Sequence, residues 1–235
     1  MNRSGSGVFT PDPLEKEDKM IKLVVFDLDG TLLYTIPDLT SAMSSAMVRM
    51  GRPPITEDQT KEYIGNGIRK FAERALGGAA AEEEIDRAVA YFKEYYAEHL
   101  TDGTVPYEGI REAVREIKNA GIKCAVLSNK YDSATKYIID VFFPDTFDFV
   151  YGEGEFCKRK PDPECFLRMC SDLGIESEEA VMIGDSPADL LVSENSGAKH
   201  IIVTWGYRTR ELMTERGATV FADSPSELLT IIKAL

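Results

Sequence analysis

The spacing of hydrophobic residues divides the chain into two kinds of segment. Between residues 35 and 104, apolar side chains recur at the three- to four-residue intervals of amphipathic helices. From Tyr107 onward, short apolar runs alternate with helix-length stretches, and one more such run precedes the helical region. The predicted strands are 23–26, 123–127, 147–151, 181–183, 200–203 and 219–221. Strands that alternate with helices in this way predict an α/β fold with a parallel sheet and right-handed crossovers.

The helical region carries its own start and stop signals. Thr35 is predicted to cap the first helix and Gly51 to end it. Thr56 and Gln59 have the spacing of a capping box for the next helix. The glycines at 65–67 interrupt the helical period before it resumes. The predicted architecture is therefore a doubly wound parallel-sheet core with a helical domain inserted after the first strand.

These patterns divide the chain into three parts. Residues 20–34 and 105–235 are predicted to form the α/β core, and residues 35–104 the inserted helical domain. Residues 1–19 are rich in Gly, Ser and Pro and then become charged. We predict that they form a flexible extension or a leader before a start at Met20.

Composition and charge limit the classes of function. The 43% hydrophobic content of the 235 residues suffices for one large domain or two modest ones. A net charge of −13 argues against binding nucleic acid or an anionic membrane, because both are held by basic surface. The four cysteines show no CxxC pair and no zinc spacing, which predicts reduced thiols. No membrane span or signal pattern is visible, so we expect a cytoplasmic protein, either a monomer or a homodimer.

Two acids directly follow the first predicted strand. Asp27 and Asp29 lie two residues apart, so in extended backbone they point to the same side. Gly30 then allows a turn that a bulkier residue would resist. The two like charges would repel unless a cation lies near them, and Mg²⁺ prefers such oxygen ligands. The alternative is an acidic turn that caps a helix.

Polar groups also follow, or lie close to, three other predicted strands. These are Ser-Asn-Lys at 128–130, Lys-Arg-Lys-Pro at 158–161 and Gly-Asp-Ser-Pro-Ala-Asp at 184–189. In a doubly wound sheet the carboxyl ends of strands border one crevice, so we expect these groups to meet there. Carboxylates, a hydroxyl, an amide and lysines suit phosphoryl transfer, where positioning and charge neutralisation dominate.

Each of these groups also has a purely structural interpretation. Ser128 and Asn129 could cap a turn or a helix. Lys160 could be a solvated surface charge. Asp185 and Asp189 could be an N-cap and a first-turn acid favoured by a helix dipole. All of these interpretations would have to hold together at strand ends for the site to be absent.

The four motifs in this order resemble those of the haloacid dehalogenase superfamily of phosphohydrolases. They are Asp-Leu-Asp-Gly-Thr at 27–31, the Ser-Asn pair, Lys-Pro-Asp-Pro at 160–163 and the segment at 184–189. The resemblance extends over essentially everything from Met20 onward. It implies a Rossmann-like core, a Mg²⁺ cofactor and a small phosphorylated metabolite as the substrate. The implied reaction is phosphomonoester hydrolysis through an aspartyl-phosphate intermediate.

The resemblance assigns a role to each residue of the crevice. Asp27 would be the nucleophile, and Asp29 would act first as general acid and then as base. Ser128 and Asn129 would hold the phosphoryl oxygens. Lys160 would neutralise the phosphoryl group and keep Asp27 ionised. Elementary chemistry agrees that a carboxylate can form such an intermediate, but it does not decide which acid takes which role.

The metal site is also implied by the resemblance. Asp185 would bind Mg²⁺ together with Asp27 and the backbone carbonyl of Asp29. Asp189 would support the metal directly or through water. The cation and a lysine would together cancel the repulsion between a carboxylate nucleophile and an anionic phosphoryl group.

The inserted helical region resembles the cap of the phosphoglycolate phosphatase branch. The resemblance lies in Tyr-Ile-Gly-Asn-Gly at 63–67 and in Pro-Asp-Leu at 37–39. Glycines let backbone amides approach a small ligand, and a cap cation would meet the substrate carboxylate. The predicted cap contacts are Gly65, Asn66, Gly67, and Arg69 or Lys70.

Other functions remain open at this stage. Tyr34 stands where the branch often has an acidic residue, and the glycines at 65–67 could be a plain turn. A sugar-phosphate mutase of the β-phosphoglucomutase type would have a histidine within 33–39, and none is present. A broad phosphatase for sugar phosphates or nucleotides is a further alternative. A non-catalytic interaction protein is disfavoured, since it has no use for buried like charges.

Overall fold

The structure, a computed structural model, describes residues 20–235. The extension predicted for residues 1–19 lies outside the described residues. The strands are β1 (Leu23–Phe26), β2 (Leu33–Tyr34), β3 (Val105–Pro106), β4 (Lys123–Tyr131), β5 (Phe149–Glu153), β6 (Ala180–Gly184), β7 (Lys199–Val203) and β8 (Phe221–Ala222). The helices are α1 (Ile36–Arg49), α2 (Glu57–Tyr63), α3 (Gly67–Ala75), α4 (Glu82–Glu98), α5 (Ile110–Asn119), α6 (Asp132–Phe142), α7 (Glu164–Leu173), α8 (Pro187–Ser196), α9 (Arg210–Glu215) and α10 (Leu228–Ala234).

Six strands form one parallel sheet in the order β5-β4-β1-β6-β7-β8. The order runs outward in both directions from β1, so β1 lies at the switch point of a doubly wound sheet. Phe26, the last residue of β1, pairs with Val126 of β4 on one side and Ile183 of β6 on the other. The predicted α/β fold class is therefore confirmed, and β1 and β6 end side by side next to β4, which continues to Tyr131.

The alternating side chains of β1 explain why both faces of the sheet are covered. Val24 and Phe26 lie in one hydrophobic cluster with α5, α6 and α10. Leu23 and Val25 point to the opposite face, into a second cluster with α7 and α8. A strand that is apolar at every position is typical of a sheet buried between two helical layers.

The helices α1 to α4 enclose a hydrophobic cluster of their own. The predicted capping box of α2 is present, because Thr56 Oγ1 and Gln59 Oε1 each accept the other residue's backbone N–H. The prediction that Thr35 caps the first helix is wrong for its side chain. Thr35 precedes α1, but its hydroxyl donates to Asp29 Oδ1 at 2.6 Å instead of capping the helix.

A two-stranded antiparallel ribbon joins this helical group to the sheet. Leu33 pairs with Pro106, and Tyr34 with Val105. The sequence did not predict β2 or β3, because two residues are too few to show a period. Next to the ribbon, buried Asp38 accepts the backbone N–H groups of Gly103 (2.7 Å) and Thr104 (2.9 Å) and the Thr104 hydroxyl (2.6 Å). The outgoing and returning segments are thus held together at one place.

The expectation of four reduced cysteines is wrong for one pair. Cys157 and Cys165 form a disulfide, with Cα atoms 5.5 Å apart. Gly154 and Cys157 exchange backbone hydrogen bonds in a tight reversal, which returns the chain toward the start of α7. The eight-residue separation matches no recognised spacing, so the pair could not be predicted from the sequence. Cys124 and Cys170 are buried free thiols.

None of the helices within residues 20–235 combines the length and the apolar composition needed to cross a bilayer.

The buried carboxylate of Asp38 yields a first prediction. Asp38→Ala removes the acceptor of three hydrogen bonds and leaves two backbone N–H groups buried without partners. We expect the free energy of unfolding to fall by about 3 kcal/mol and the melting temperature by about 6–12 °C. Thermal unfolding followed by circular dichroism measures the change. The exposed Asp140→Ala is the matched control, and an equal loss in both variants would contradict the role of Asp38.

Candidate active site

Asp27 directly follows the central strand β1, beside the end of β6 and next to β4. Its backbone N–H donates to Ile183 O of β6 at 2.8 Å, which continues the ladder by one residue. Gly30 turns the chain away with φ +85°, and a Cβ there would lie 2.5 Å from Asp185 Oδ2. The turn therefore requires glycine both for its backbone and for the close approach of Asp185.

Three carboxylates gather around one lysine at this edge. Asp27, Asp185 and Asp189 are buried and offer oxygens that all lie within 4.8 Å of one another. Lys160 Nζ lies 2.9 Å from Asp27 Oδ1 and 2.6 Å from Asp189 Oδ1. Ionised, these four groups would carry a net charge of −2. Such a cluster calls for a further cation, and its all-oxygen donor set fits a hard divalent ion such as Mg²⁺.

The pKa values of these groups shift in the directions expected from this excess of negative charge. Burial raises the pKa of Asp27 well above its usual value, and Lys160 opposes that rise only in part. Burial, followed by the neighbouring Asp189, raises the pKa of Asp185 to about 7. Burial alone would lower the pKa of Lys160, but Asp189 and Asp27 outweigh it and raise that pKa. Without a metal the cluster therefore favours protonated carboxyls, and a bound divalent cation would favour the ionised forms.

The predicted metal residues take up different positions around this cluster. Asp185 Oδ2 accepts the backbone N–H of Tyr207 at 2.6 Å, and its other oxygen makes no hydrogen bond within residues 20–235. Both oxygens of Asp189 already accept hydrogen bonds, Oδ1 from Lys160 and Oδ2 from Ser186. The side chain of Asp29 is not part of the three-carboxylate group. Its predicted role as a metal ligand therefore rests on its backbone carbonyl.

Ser128 and Asn129 lie beside the cluster near the end of β4. The Ser128 hydroxyl accepts the backbone N–H of Lys130 at 3.2 Å, which leaves its own proton for a ligand. The Asn129 side chain instead makes a reciprocal pair with the backbone of Lys160, at 2.7 Å and 3.1 Å. Asn129 thus fixes the position of the Lys160 backbone, a role that the sequence did not indicate.

The surroundings of Asp29 include Lys130, a lysine with no role among those predicted from the motifs. Lys130 Nζ lies 3.2 Å from Asp29 Oδ1 and donates to Tyr96 Oη of α4 at 2.8 Å. Lys130 is only 8% exposed, and Tyr96 only 1%. Burial would lower the pKa of Lys130, but Asp29 and Tyr96 reverse this and raise it. The only feature of the sequence that points to Lys130 is its position directly after the Ser-Asn motif.

A cavity of about 330 Å³ opens over these groups toward the helical region. On the sheet side its lining includes Asp27, Asp29, Asp185, Ser128 and the two lysines, Lys130 and Lys160. On the helical side the lining is mostly apolar and aromatic, and it includes Leu39, Ile64, Ile68, Phe71, Phe92 and Tyr96. The cavity therefore joins a charged floor to a largely apolar roof, as ligand sites often do.

The loop at 64–67 contacts the sheet domain over this cavity. Arg208 donates to Ile64 O at 2.8 Å and to Lys61 O at 2.7 Å. Asn129 Nδ2 lies 3.5 Å from Gly65 O, and Arg159 donates to Asn66 O. Gly65 and Gly67 line the cavity as expected for cap contacts, whereas Asn66 does not.

The predicted cap cations do not face the cavity. Arg69 is exposed and pairs with Glu82 and Asp86, and Lys70 pairs with Glu73. Neither residue lines the cavity, and both are exposed. Lys93 of α4 does line it, and its ammonium makes no ion pair within residues 20–235. Phe92 and Tyr96 are buried on the same helix, but nothing in the sequence distinguishes Lys93 from the other exposed cations.

Comparison with known proteins gives an independent view of the same features. The family model of haloacid dehalogenase-like hydrolases matches residues 24–203. Phosphoglycolate phosphatase 1 of Pseudomonas aeruginosa is 34% identical over 218 residues, which covers 90% of this chain and 79% of the relative. Phosphoglycolate phosphatase of Psychrobacter arcticus is 32% identical, and the match covers 88% of this chain and 94% of that relative.

Solved structures agree with the sequence relatives. A candidate phosphoglycolate phosphatase from Lactobacillus delbrueckii subsp. bulgaricus superposes with a TM-score of 0.88 at 32% identity, covering 92% of this chain and 100% of that one. The resemblance that the motifs indicated, including its phosphoglycolate phosphatase branch, is thereby confirmed. Since the family model spans residues 24–203 and relatives above 30% identity cover most of the sequence, the chain belongs to the haloacid dehalogenase-like hydrolase family.

Proposed function

We propose that this protein hydrolyses a small phosphomonoester with Mg²⁺ and an aspartyl-phosphate intermediate. The observation that carries the proposal is Asp27, a buried carboxylate at a strand end with Lys160 at 2.9 Å and two further acids beside it. The curated relatives named above are phosphatases, which supports the same reaction class. An interaction module would gain nothing from three buried carboxylates around one lysine.

The first step is attack by Asp27 on phosphorus. Asp27 Oδ1 is occupied by Lys160 and by the backbone N–H of Leu28 at 2.7 Å, while Oδ2 accepts no hydrogen bond within residues 20–235. A bond forms between a carboxylate oxygen and phosphorus, and the bond from phosphorus to the alcohol oxygen breaks. Lys160 offsets the negative charge that the two anions bring together.

Proton transfer is the task of Asp29. The departing alkoxide takes a proton from Asp29, and Asp29 then takes one from the water that attacks the intermediate. Asp29 lines the cavity and lies outside the three-carboxylate cluster, and its Oδ2 accepts no hydrogen bond within residues 20–235, so this oxygen can face the leaving group. Hydrolysis releases phosphate and returns Asp27 to its carboxylate form.

Asp27, Asp185 and the carbonyl of Asp29 would hold the metal, with Asp189 supporting it. A bound Mg²⁺ would offset the two uncompensated charges and polarise the phosphoryl oxygens. The chain itself supplies the remaining positioning. Ser128 has a free hydroxyl proton for a phosphoryl oxygen, and Asn129 holds the Lys160 backbone in place.

The substrate we propose is 2-phosphoglycolate, converted to glycolate and phosphate. The curated relatives carry this activity in their names, and Gly65 and Gly67 line the cavity. We assign the carboxylate contact to Lys93, because Arg69 and Lys70 are already paired with acids. The apolar roof favours a second candidate, a broader phosphatase that also accepts larger esters.

Metal binding can be measured without turnover. Mg²⁺ should stabilise the folded protein, because it binds the carboxylate cluster in the native state only. At a Mg²⁺ concentration of about 100 times Kd the expected gain is about 2.7 kcal/mol, or about 5–10 °C in melting temperature. Asp185→Asn should abolish most of this shift, whereas Asp172→Asn, an exposed acid elsewhere, should retain it. An unchanged melting temperature in 10 mM Mg²⁺ would contradict the metal site.

The role of Asp27 has a direct chemical test. Asp27→Asn keeps the size of the side chain but removes the nucleophilic carboxylate, so kcat should fall by about 10⁴-fold or more. Acid-quenched wild-type protein should carry the mass of one phosphoryl group, on a peptide that contains Asp27. Short assays limit deamidation of the new asparagine. Near-normal turnover by the variant would show that another group attacks phosphorus.

Substrate identity is tested by a matched pair of two-carbon esters. Phosphoglycolate and ethyl phosphate differ in the carboxylate, and glucose 6-phosphate and nucleoside monophosphates extend the panel. Wild type should prefer phosphoglycolate. Lys93→Met should raise KM for it by about tenfold, the loss of about 1.4 kcal/mol of binding, and leave ethyl phosphate unaffected.

The variants Arg69→Met and Lys70→Met serve as controls for the phosphoglycolate panel, since both residues project away from the cavity. Both should keep the wild-type KM for phosphoglycolate. If wild type shows no preference for phosphoglycolate over ethyl phosphate, the two-carbon acid is not the substrate.

A further inference from the structure

The two oxygens of the Asp29 carboxyl group have different surroundings. Oδ1 accepts the Thr35 hydroxyl at 2.6 Å and lies 3.2 Å from Lys130 Nζ. Oδ2 accepts no hydrogen bond within residues 20–235, although Asp29 lines the cavity. One oxygen is thus fixed by two donors, and the other is free to face a ligand.

Lys130 connects this carboxyl group to the helical cap. Its ammonium lies between Asp29 of the sheet domain and Tyr96 of α4, and it donates to the Tyr96 hydroxyl at 2.8 Å. It also lies 4.9 Å from the centre of the Tyr96 ring. An ammonium carries three donors, so Lys130 can serve both partners at once. Asp29 and Tyr96 are the only hydrogen-bond or ion-pair partners of this ammonium within residues 20–235.

The cost of burying an ammonium argues for a role beyond packing. A lysine is almost never buried unless it is paired, and an apolar side chain of similar length would fill the same space without a desolvation penalty. The reaction, as described, gives Lys130 no task, since Lys160 already neutralises Asp27. The partners of Lys130 are instead the acid and the cap helix.

We propose that Lys130 is a positioning residue, which together with Tyr96 turns Asp29 Oδ2 toward the leaving group when the cap covers the cavity. This inference rests on the proposed phosphatase function and adds a residue to it. The cap contact matters because Tyr96 belongs to α4 while Lys130 belongs to β4. Separation of cap and sheet removes one of the two partners of Lys130 and releases the constraint on Asp29.

The step that Lys130 assists is proton transfer to the leaving oxygen. As the bond from phosphorus to the alcohol oxygen breaks and that to Asp27 forms, the proton on Asp29 Oδ2 passes to the alcohol oxygen. Before the transfer, while Oδ2 carries the proton, Oδ1 is the carbonyl-type oxygen of the acid and is held by Thr35 and Lys130. A good leaving group needs little of this proton, so its hydrolysis depends little on how Asp29 is oriented.

Two aryl esters of similar size provide the test. Phenyl phosphate has a basic leaving group, whereas the nitro group of p-nitrophenyl phosphate makes its leaving group a weak base. Lys130→Met should lower kcat/KM for phenyl phosphate by about 10²-fold, the lower limit of a general-acid contribution. For p-nitrophenyl phosphate the loss should stay below about tenfold. Equal losses on both esters would overturn the proposal, because a disturbed fold affects both alike.

A milder variant covers the case in which Lys130→Met does not fold. Tyr96→Phe keeps the ring in its aromatic contacts and removes only the hydroxyl that accepts from Lys130. It should lower kcat/KM for phenyl phosphate by about threefold to tenfold and leave p-nitrophenyl phosphate nearly unchanged. In the Lys130→Met background the same change should add no further selective loss, since the two residues act as one unit.

The controls separate this inference from the function on which it rests. Lys136→Met and Tyr137→Phe alter the same residue types on the exposed side of α6 and should leave both rates unchanged. If wild type hydrolyses neither aryl ester nor phosphoglycolate, the phosphatase proposal fails. If wild type is active and the Lys130 and Tyr96 variants lose both rates in equal proportion, only the positioning role fails.

Discussion

The ion pairs of Lys160 with Asp27 and Asp189 are the interaction on which the site depends. They bring the end of β1, the first turn of α8 and the loop before α7 to one point, and Asn129 of β4 secures the Lys160 backbone there. One ammonium cannot balance three buried carboxylates, so the apo site remains electrostatically incomplete. The residual negative charge suits a divalent cation, and an anionic substrate can be accommodated once that charge is offset. The same imbalance keeps the cluster costly to the fold and useful for the chemistry.

Much of this architecture could be predicted from the sequence, because the relevant signals are local. The apolar run before Asp27 marks a central strand, and Gly30 marks the turn that exposes the acids. All six sheet strands were predicted, with boundaries that shift by a few residues. Asp27, Asp185 and Asp189 came together because the ends of parallel strands are neighbours by topology. That constraint needs no knowledge of side-chain packing.

The remaining features depend on contacts between distant parts of the chain. Thr35 looked like a helix cap, but its hydroxyl donates to the carboxyl group of Asp29 instead. Arg69 and Lys70 looked available for a ligand, but acids on α4 and α3 bind them first. Lys130 directly follows the Ser-Asn motif, but its contact with Tyr96, 34 positions away, cannot be predicted from the local sequence. The hydrophobic periodicity of a sequence does not show which basic residue will pair with which acid.

The ribbon of β2 and β3 has a consequence beyond its few hydrogen bonds. The chain leaves and rejoins the sheet domain at adjacent residues, with Tyr34 paired to Val105. The segment between these two points needs only to begin and end at the same place, as an inserted domain does. Evolution can therefore lengthen, exchange or redesign the intervening helices while the catalytic floor stays the same. Diversity of substrates within such a lineage then requires no reinvention of the chemistry.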